Sequence, residues 1–225
     1  MNTSNTPNPA AAAPASNSAQ GRDIKQIADL KLIVFDMGKV FIRFDWEQTY
    51  TGFVSATNSS VDSVKEAFAA VYFPYERGHI NTQDVIDHLN KELKANLSHE
   101  EFAKLWTATL GEDTEMTQLL QELRQKFPLY MLSNINEVSY GYLQENFNIS
   151  QHFEELVLSY KVGHIKPAIE IYHEVLNRSK LAPHNCLFID DMAENIAAAQ
   201  SIGINTIHFT GINNLRKNLT ELGIY

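Results

Sequence analysis

Cysteine is nearly absent from this chain: a single thiol, Cys186, among 225 residues leaves no means of building an intramolecular disulfide framework. Because it lies inside the apolar run Cys186-Leu-Phe-Ile189, it reads as a small buried hydrophobe, in keeping with a reducing cytoplasm. Long apolar runs are missing as well. No stretch approaches the roughly 20 residues needed to span a bilayer, and the first residues carry neither the basic start nor the apolar segment of a secretion signal. Basic runs are equally scarce, since 18 Lys and Arg face 27 Asp and Glu for a formal net charge of -9. Such a surface does not grip a phosphate backbone. The expectation is a soluble cytoplasmic protein with no nucleic-acid or membrane partner and no obligate protein partner. An anionic substrate would have to be drawn in locally, by a metal and a few placed cations.

What the chain does have is a pair of short apolar strands that each end in acid. Lys31-Leu-Ile-Val-Phe-Asp36 runs into Met37-Gly38-Lys39-Val40, and far downstream Cys186-Leu-Phe-Ile-Asp190 runs into Asp191. The C-terminal ends of such strands form the edge of an α/β sheet where ligands bind. Carboxylates gathered there repel and raise one another's pKa. A hard divalent ion removes that cost, and Mg2+ takes a few carboxylate and carbonyl oxygens while keeping waters for a phosphate. Taken singly, each of Asp36, Asp190 and Asp191 reads as readily as a turn residue or a helix cap.

Residues 46–110 show helical periodicity, in Asp62-Ser-Val-Lys-Glu-Ala-Phe68, Thr82-Gln-Asp-Val-Ile-Asp-His-Leu89 and Ser98-His-Glu-Glu-Phe-Ala-Lys-Leu-Trp106, with Thr82 and Ser98 as helix starts. From about residue 114 the pattern alternates: a strand at 129–132, a helix at 137–147, a strand at 155–159, a helix at 168–180, a strand at 186–189, a helix at 193–202 and a strand at 205–209. Alternation of this kind predicts a doubly wound, Rossmann-like parallel sheet covered on both faces. The chain then divides into a disordered leader (1–22), an α/β core (23–45 and 111–225) and an inserted helical cap domain (46–110), placed where it would act as a lid. The aromatic residues Tyr72, Phe73 and Tyr75 read as core packing, and the histidines show no zinc-like spacing.

Four segments share the functional edge of this sheet: Asp36-Met-Gly38, Ser133-Asn134, Lys166-Pro167, and Asp190-Asp191 with Asn195. Phosphoryl transfer through a covalent intermediate asks for a carboxylate nucleophile, a metal, a hydroxyl with amides on the phosphate oxygens, and a fixed cation. The set and its order resemble the haloacid dehalogenase-like hydrolase superfamily, most closely its phosphatases with a small helical cap, over essentially everything from residue 30 onward. The resemblance implies an α/β core with a helical cap and a Mg2+-dependent hydrolysis of a small phosphorylated metabolite. Asp36 would be the nucleophile and a metal ligand, Asp191 the second metal carboxylate, and Asp190 either a ligand or the holder of a metal-bound water. The carbonyl of Gly38 would also ligate, and Asn195 would orient the loop. Ser133 and the amide of Asn134 would bind phosphate oxygens, and Lys166 would pair with both Asp36 and the phosphate.

Gly38 stands where the superfamily commonly has a second Asp, which protonates the leaving oxygen and activates water. Losing a general acid costs about 10²- to 10⁴-fold. The Asp-x-Gly form, with Phe44-Asp45 and Glu76-Arg77-Gly78, is similar to a branch of sugar-phosphate phosphatases that includes a glucose-1-phosphate phosphatase, and an anomeric phosphate leaves readily. Asp45 reads as a proton source or, more simply, as a helix cap; Arg77 reads as a substrate-binding guanidinium or as a partner of Glu76. Two rival functions remain open on the sequence: a metal-independent 2-haloacid dehalogenase using the same nucleophilic Asp, and a catalytically decayed phosphometabolite-binding protein. Retention of the Asp190-Asp191 pair favours the phosphatase.

Overall fold

The computed structural model describes residues 29–225; the leader expected over residues 1–22 lies outside them. Strand β1 (Leu32–Phe35) is buried along its whole length, as expected of a central parallel strand covered on both faces. A tight turn leads into β2 (Ile42–Arg43), and Asp45 then caps α1 (Trp46–Thr57) by accepting from the Gln48 amide. Three more helices follow: α2 (Val61–Glu76), α3 (Thr82–Leu93) and α4 (His99–Thr107). Ser98 caps α4 within a capping box, as read from the sequence. The cap of α3 is Asn81 rather than Thr82. Thr82 is instead turned inward, bonded to the Tyr75 hydroxyl and to the Glu137 carboxylate.

The chain leaves this helical block through β3 (Gly111–Glu112), which pairs antiparallel with β2, so the two crossings are fastened together at their base. The alternating portion comprises α5 (Thr114–Arg124), β4 (Leu129–Ser133), α6 (Glu137–Phe147), β5 (Glu155–Leu158), a single turn α7 (Ser159–Val162), α8 (Ile169–Ser179), β6 (Cys186–Asp190), α9 (Ala193–Ser201) and β7 (Asn205–His208). Helix α10 (Ile212–Glu221) closes the chain, beyond the last element read from the sequence. Its Asn-rich stretch is a weak helix former, and the helix is anchored by Leu215 and Leu219 packing into the core.

The main sheet is parallel, in the order β5-β4-β1-β6-β7. Register places Phe35 beside both Met131 and Ile189, so the C-terminal ends of β1, β4 and β6 finish level at one edge. One apolar layer, including Phe35, Met131, Leu187 and Ile189, fills one face of the sheet; another, including Val34, Leu132, Tyr172 and Phe188, fills the other. The helical block has a core of its own, in which Phe68 stacks on Trp106 at 5.3 Å and meets Phe53 and Tyr50 edge-on. Among the described residues no helix is long and apolar enough to cross a membrane.

Candidate active site

Each strand of the parallel sheet delivers its polar group one step past its apolar run. Asp36 follows β1, its amide donating to the Ile189 carbonyl of β6, and Asp190 ends β6 with Asp191 beyond it. Lys166 arrives from the loop before α8 and is buried with Asp36 and Asp190. Its Nζ donates to Asp36 Oδ1 at 2.5 Å and to Asp190 Oδ2 at 2.7 Å. Asn134, after β4, fixes that loop reciprocally: its side-chain amide donates to the Lys166 carbonyl at 3.0 Å and its Oδ1 accepts from the Lys166 amide at 2.8 Å.

Asp190 is fully engaged by protein. Besides Lys166, the Asn195 side-chain amide donates to both of its oxygens at 3.0 Å, and the Met192 amide donates to Oδ1 at 2.8 Å. Asp191 is half-buried and makes no side-chain hydrogen bond of this kind among the described residues; its carbonyl lies 2.9 Å from His208 Nε2. One oxygen from each of Asp36, Asp190 and Asp191 lies within 4.8 Å of the others. This is a hard, all-oxygen donor set of the kind that suits Mg2+. With Asp190 held by Lys166, Asn195 and Met192, Asp36 and Asp191 are the members with oxygens to spare.

The electrostatics point the same way. Burial pushes the Asp36 carboxyl up, against the pull of Lys166, and Asp190 and Asp191 add to the rise. Asp191 is raised as well, by burial and by Asp190. Burial works against the Lys166 ammonium, yet Asp190 and Asp36 outweigh it and hold its pKa above the ordinary lysine value. Three carboxylates thus surround one buried, firmly protonated amine, with the Lys39 ammonium acting on Asp191 alone, an arrangement short of positive charge that a divalent cation would complete.

A cavity of about 80 Å³ opens beside this cluster, between the sheet edge and the helical block, lined in part by Gly38, Phe44, Trp46, Tyr72, Glu76 and Asn134. Ser133 is buried next to it, its hydroxyl 3.3 Å from the Asn134 carbonyl. Arg77 is not among the lining residues; its guanidinium sits over the Phe73 ring, 5.9 Å from the centroid. The preceding residue takes the inward position instead. Tyr72 and Glu76, spaced i and i+4 on α2, share one face of the helix, and both line the cavity, so Tyr72 is more than the packing residue expected from sequence. That spacing was legible; the direction of the helix was not. A Cβ at Gly38 would come within 2.9 Å of Phe44 Cε1, so the Phe44 ring occupies the space that a side chain at position 38 would need. Asp45, capping α1, is exposed.

A second cavity, of about 330 Å³, lies between α2, α3 and α6 against Tyr75, His79, Asp84 and Glu137, and holds none of the clustered groups.

The family model of the haloacid dehalogenase-like hydrolases matches residues 30–203. The chain belongs to that family. It is 26% identical over 202 residues to a D-ribitol-5-phosphate phosphatase of Bacteroides thetaiotaomicron, covering 86% of this chain and 98% of the relative. It is 30% identical over 184 residues to a sesquiterpene phosphatase of Aspergillus oryzae, covering 80% and 90%. Among solved structures it is similar to a HAD family enzyme of Bacteroides thetaiotaomicron, an Asp-to-Ala mutant in complex with magnesium and inorganic phosphate. The TM-score is 0.74 at 27% identity, over 79% of this chain and 93% of that one.

Proposed function

We propose that this haloacid dehalogenase-like hydrolase is a magnesium-dependent phosphatase that acts on a small phosphorylated metabolite, a sugar or polyol phosphate, through an aspartyl-phosphate on Asp36. The observation that carries the reading is the buried Lys166 ammonium shared between Asp36 and Asp190 with Asp191 beside them. A dehalogenase working without metal has no use for that many carboxylates. The phosphatase activities named for two relatives, and the magnesium and phosphate in a solved one, support it.

In this reading Asp36, Asp191 and the Gly38 carbonyl hold the cation, and Asp190, itself held by Asn195 and Lys166, keeps the loop and the ammonium in place. Magnesium, when bound, supplies Lewis-acid shielding of the charge on the phosphate oxygens. Asp36 uses its Oδ2, which forms no hydrogen bond among the described residues, to attack phosphorus. Lys166 keeps Asp36 oriented and offers positive charge to the transferring group. Ser133 and the Asn134 amide bind phosphate oxygens. The block 46–110 serves as the lid over the core of 23–45, of which residues 29–45 are described, and 111–225, shutting bulk water out during transfer. Aromatic walls from Trp46, Tyr72 and Trp106, with Trp46 Nε1, which has no partner among the described residues, as a donor, suit a substrate carrying hydroxyls on a carbon frame.

The test is a panel of phosphorylated metabolites assayed with and without Mg2+. Phosphate release from sugar or polyol phosphates that requires Mg2+ and falls by more than about 10³-fold in Asp36→Asn supports the reading. Halide release from 2-chloropropionate without metal, or phosphate release untouched by Asp36→Asn, overturns it.

A further inference from the structure

Position 38 offers no side chain, and the Phe44 ring stands in its place, so the proton that a departing alkoxide needs must come from elsewhere in the cavity. Lys166 is committed to Asp36 and Asp190. Asp45 is exposed and spends Oδ1 on the Gln48 amide. Glu76 differs from both. Only 4% of it is exposed, and it lines the cavity together with Gly38 and Asn134. Its Oε1 accepts from Asn136 Nδ2 at 2.8 Å, while Oε2 is buried with no partner among the described residues. Its backbone carbonyl accepts from the Ser159 hydroxyl at 2.5 Å, which pins the end of α2 against the core. A buried carboxyl oxygen without a partner is costly, and its position over a reaction cavity is where such a cost is accepted for function.

We propose that Glu76 is the acid–base catalyst of the phosphatase reaction, an inference that rests on the phosphatase reading above. As the bond from Asp36 Oδ2 to phosphorus forms, the ester P–O bond breaks and its electron pair stays on the ester oxygen. The Glu76 carboxyl protonates that oxygen, releasing the alcohol and leaving Glu76 as a carboxylate. Water then attacks phosphorus and gives a proton to Glu76. The bond between phosphorus and Asp36 breaks, and phosphate departs with both carboxyl groups restored. Burial pushes the Glu76 carboxyl up to about 7, with Asn136 and Lys166 pulling the other way. Tyr72 and Tyr75, on the same helix, are themselves raised by burial and stay neutral. A group poised near neutrality suits transfer in both directions.

The experiment compares kcat/KM, which reports only the steps through phosphorylation of Asp36, for an alkyl ester (ribitol 5-phosphate) and an activated aryl ester (2,4-dinitrophenyl phosphate) that departs without a proton. Glu76→Gln keeps the size and the acceptor for Asn136. The expected result is a loss of about 10²- to 10⁴-fold on the alkyl ester with the aryl ester changed less than about threefold, plus a burst of dinitrophenolate as the second step slows. Glu76→Asp, tested alongside in case the amide variant does not fold, should show the same selectivity with a smaller loss. Equal losses on both esters, a change in KM alone, or no loss on either overturns the role of Glu76 while the phosphatase reading stands. A wild-type protein silent on both esters with Mg2+ overturns that reading as well.

Discussion

At the scale of single residues, the site's polar groups divide by what already holds them. Asp190, Asn134 and Asn195 spend their hydrogen-bonding capacity on protein, whereas Asp36 Oδ2, Asp191 and Glu76 Oε2 keep some free among the described residues. The second group was only partly legible. Asp36, Lys166 and Asp191 announce themselves by following apolar strands or preceding a proline, but Glu76 sits inside a helix whose rotation is decided by packing. Arg77, the more conspicuous residue beside it, turns onto Phe73. The buried Glu76 also has a consequence for stability. The native protein holds its proton up to about pH 7, whereas the unfolded chain releases it near 4.5. The native state therefore binds more protons in that window, and stability falls as pH rises through it. In EDTA, denaturant unfolding of wild-type protein should lose about 3 kcal/mol between pH 4.5 and 7.5 relative to Glu76→Gln, at about 1.4 kcal/mol per tenfold change in proton affinity. Parallel stability profiles for the two proteins contradict this.

At the scale of elements, the parallel strands were the most legible part, because an apolar run flanked by turn residues has few other readings. The pairing of β2 with β3 was not, since two-residue strands carry no periodicity. Nor was the inward turn of Thr82, which depends on Tyr75 and Glu137 arriving from elsewhere in the chain. The junction between the helical block and the core tightens just after α2. Gly78 there has φ of +68°, and a Cβ on it would fall 2.2 Å from the Tyr160 carbonyl oxygen. Gly141, exposed within α6, has open space around its Cβ position. Thermal denaturation should accordingly separate the two substitutions. Gly141→Ala is expected to stabilise by about 0.5–1 kcal/mol, and Gly78→Ala to destabilise by more than about 2 kcal/mol through strain and collision. A Gly78→Ala protein as stable as wild type would show that the block and core are not held together at this point.

At the scale of the whole molecule, an acidic chain folds an acidic cluster into its interior and buries one ammonium, that of Lys166, with it. That imbalance makes sense only where a cation and an anion arrive in turn. The fold class, the sheet edge and the helical insertion all follow from patterning, while the cavity's walls depend on how the insertion lies against the edge. The central claim is that Asp36 is the atom-donating partner of phosphorus. A crystal structure grown with Mg2+ and beryllofluoride tests it most directly. The account predicts beryllium bonded to an Asp36 carboxylate oxygen, with the cation shared by Asp36 and Asp191; an adduct on another residue, or a free fluoride complex with Asp36 still paired only to Lys166, contradicts it.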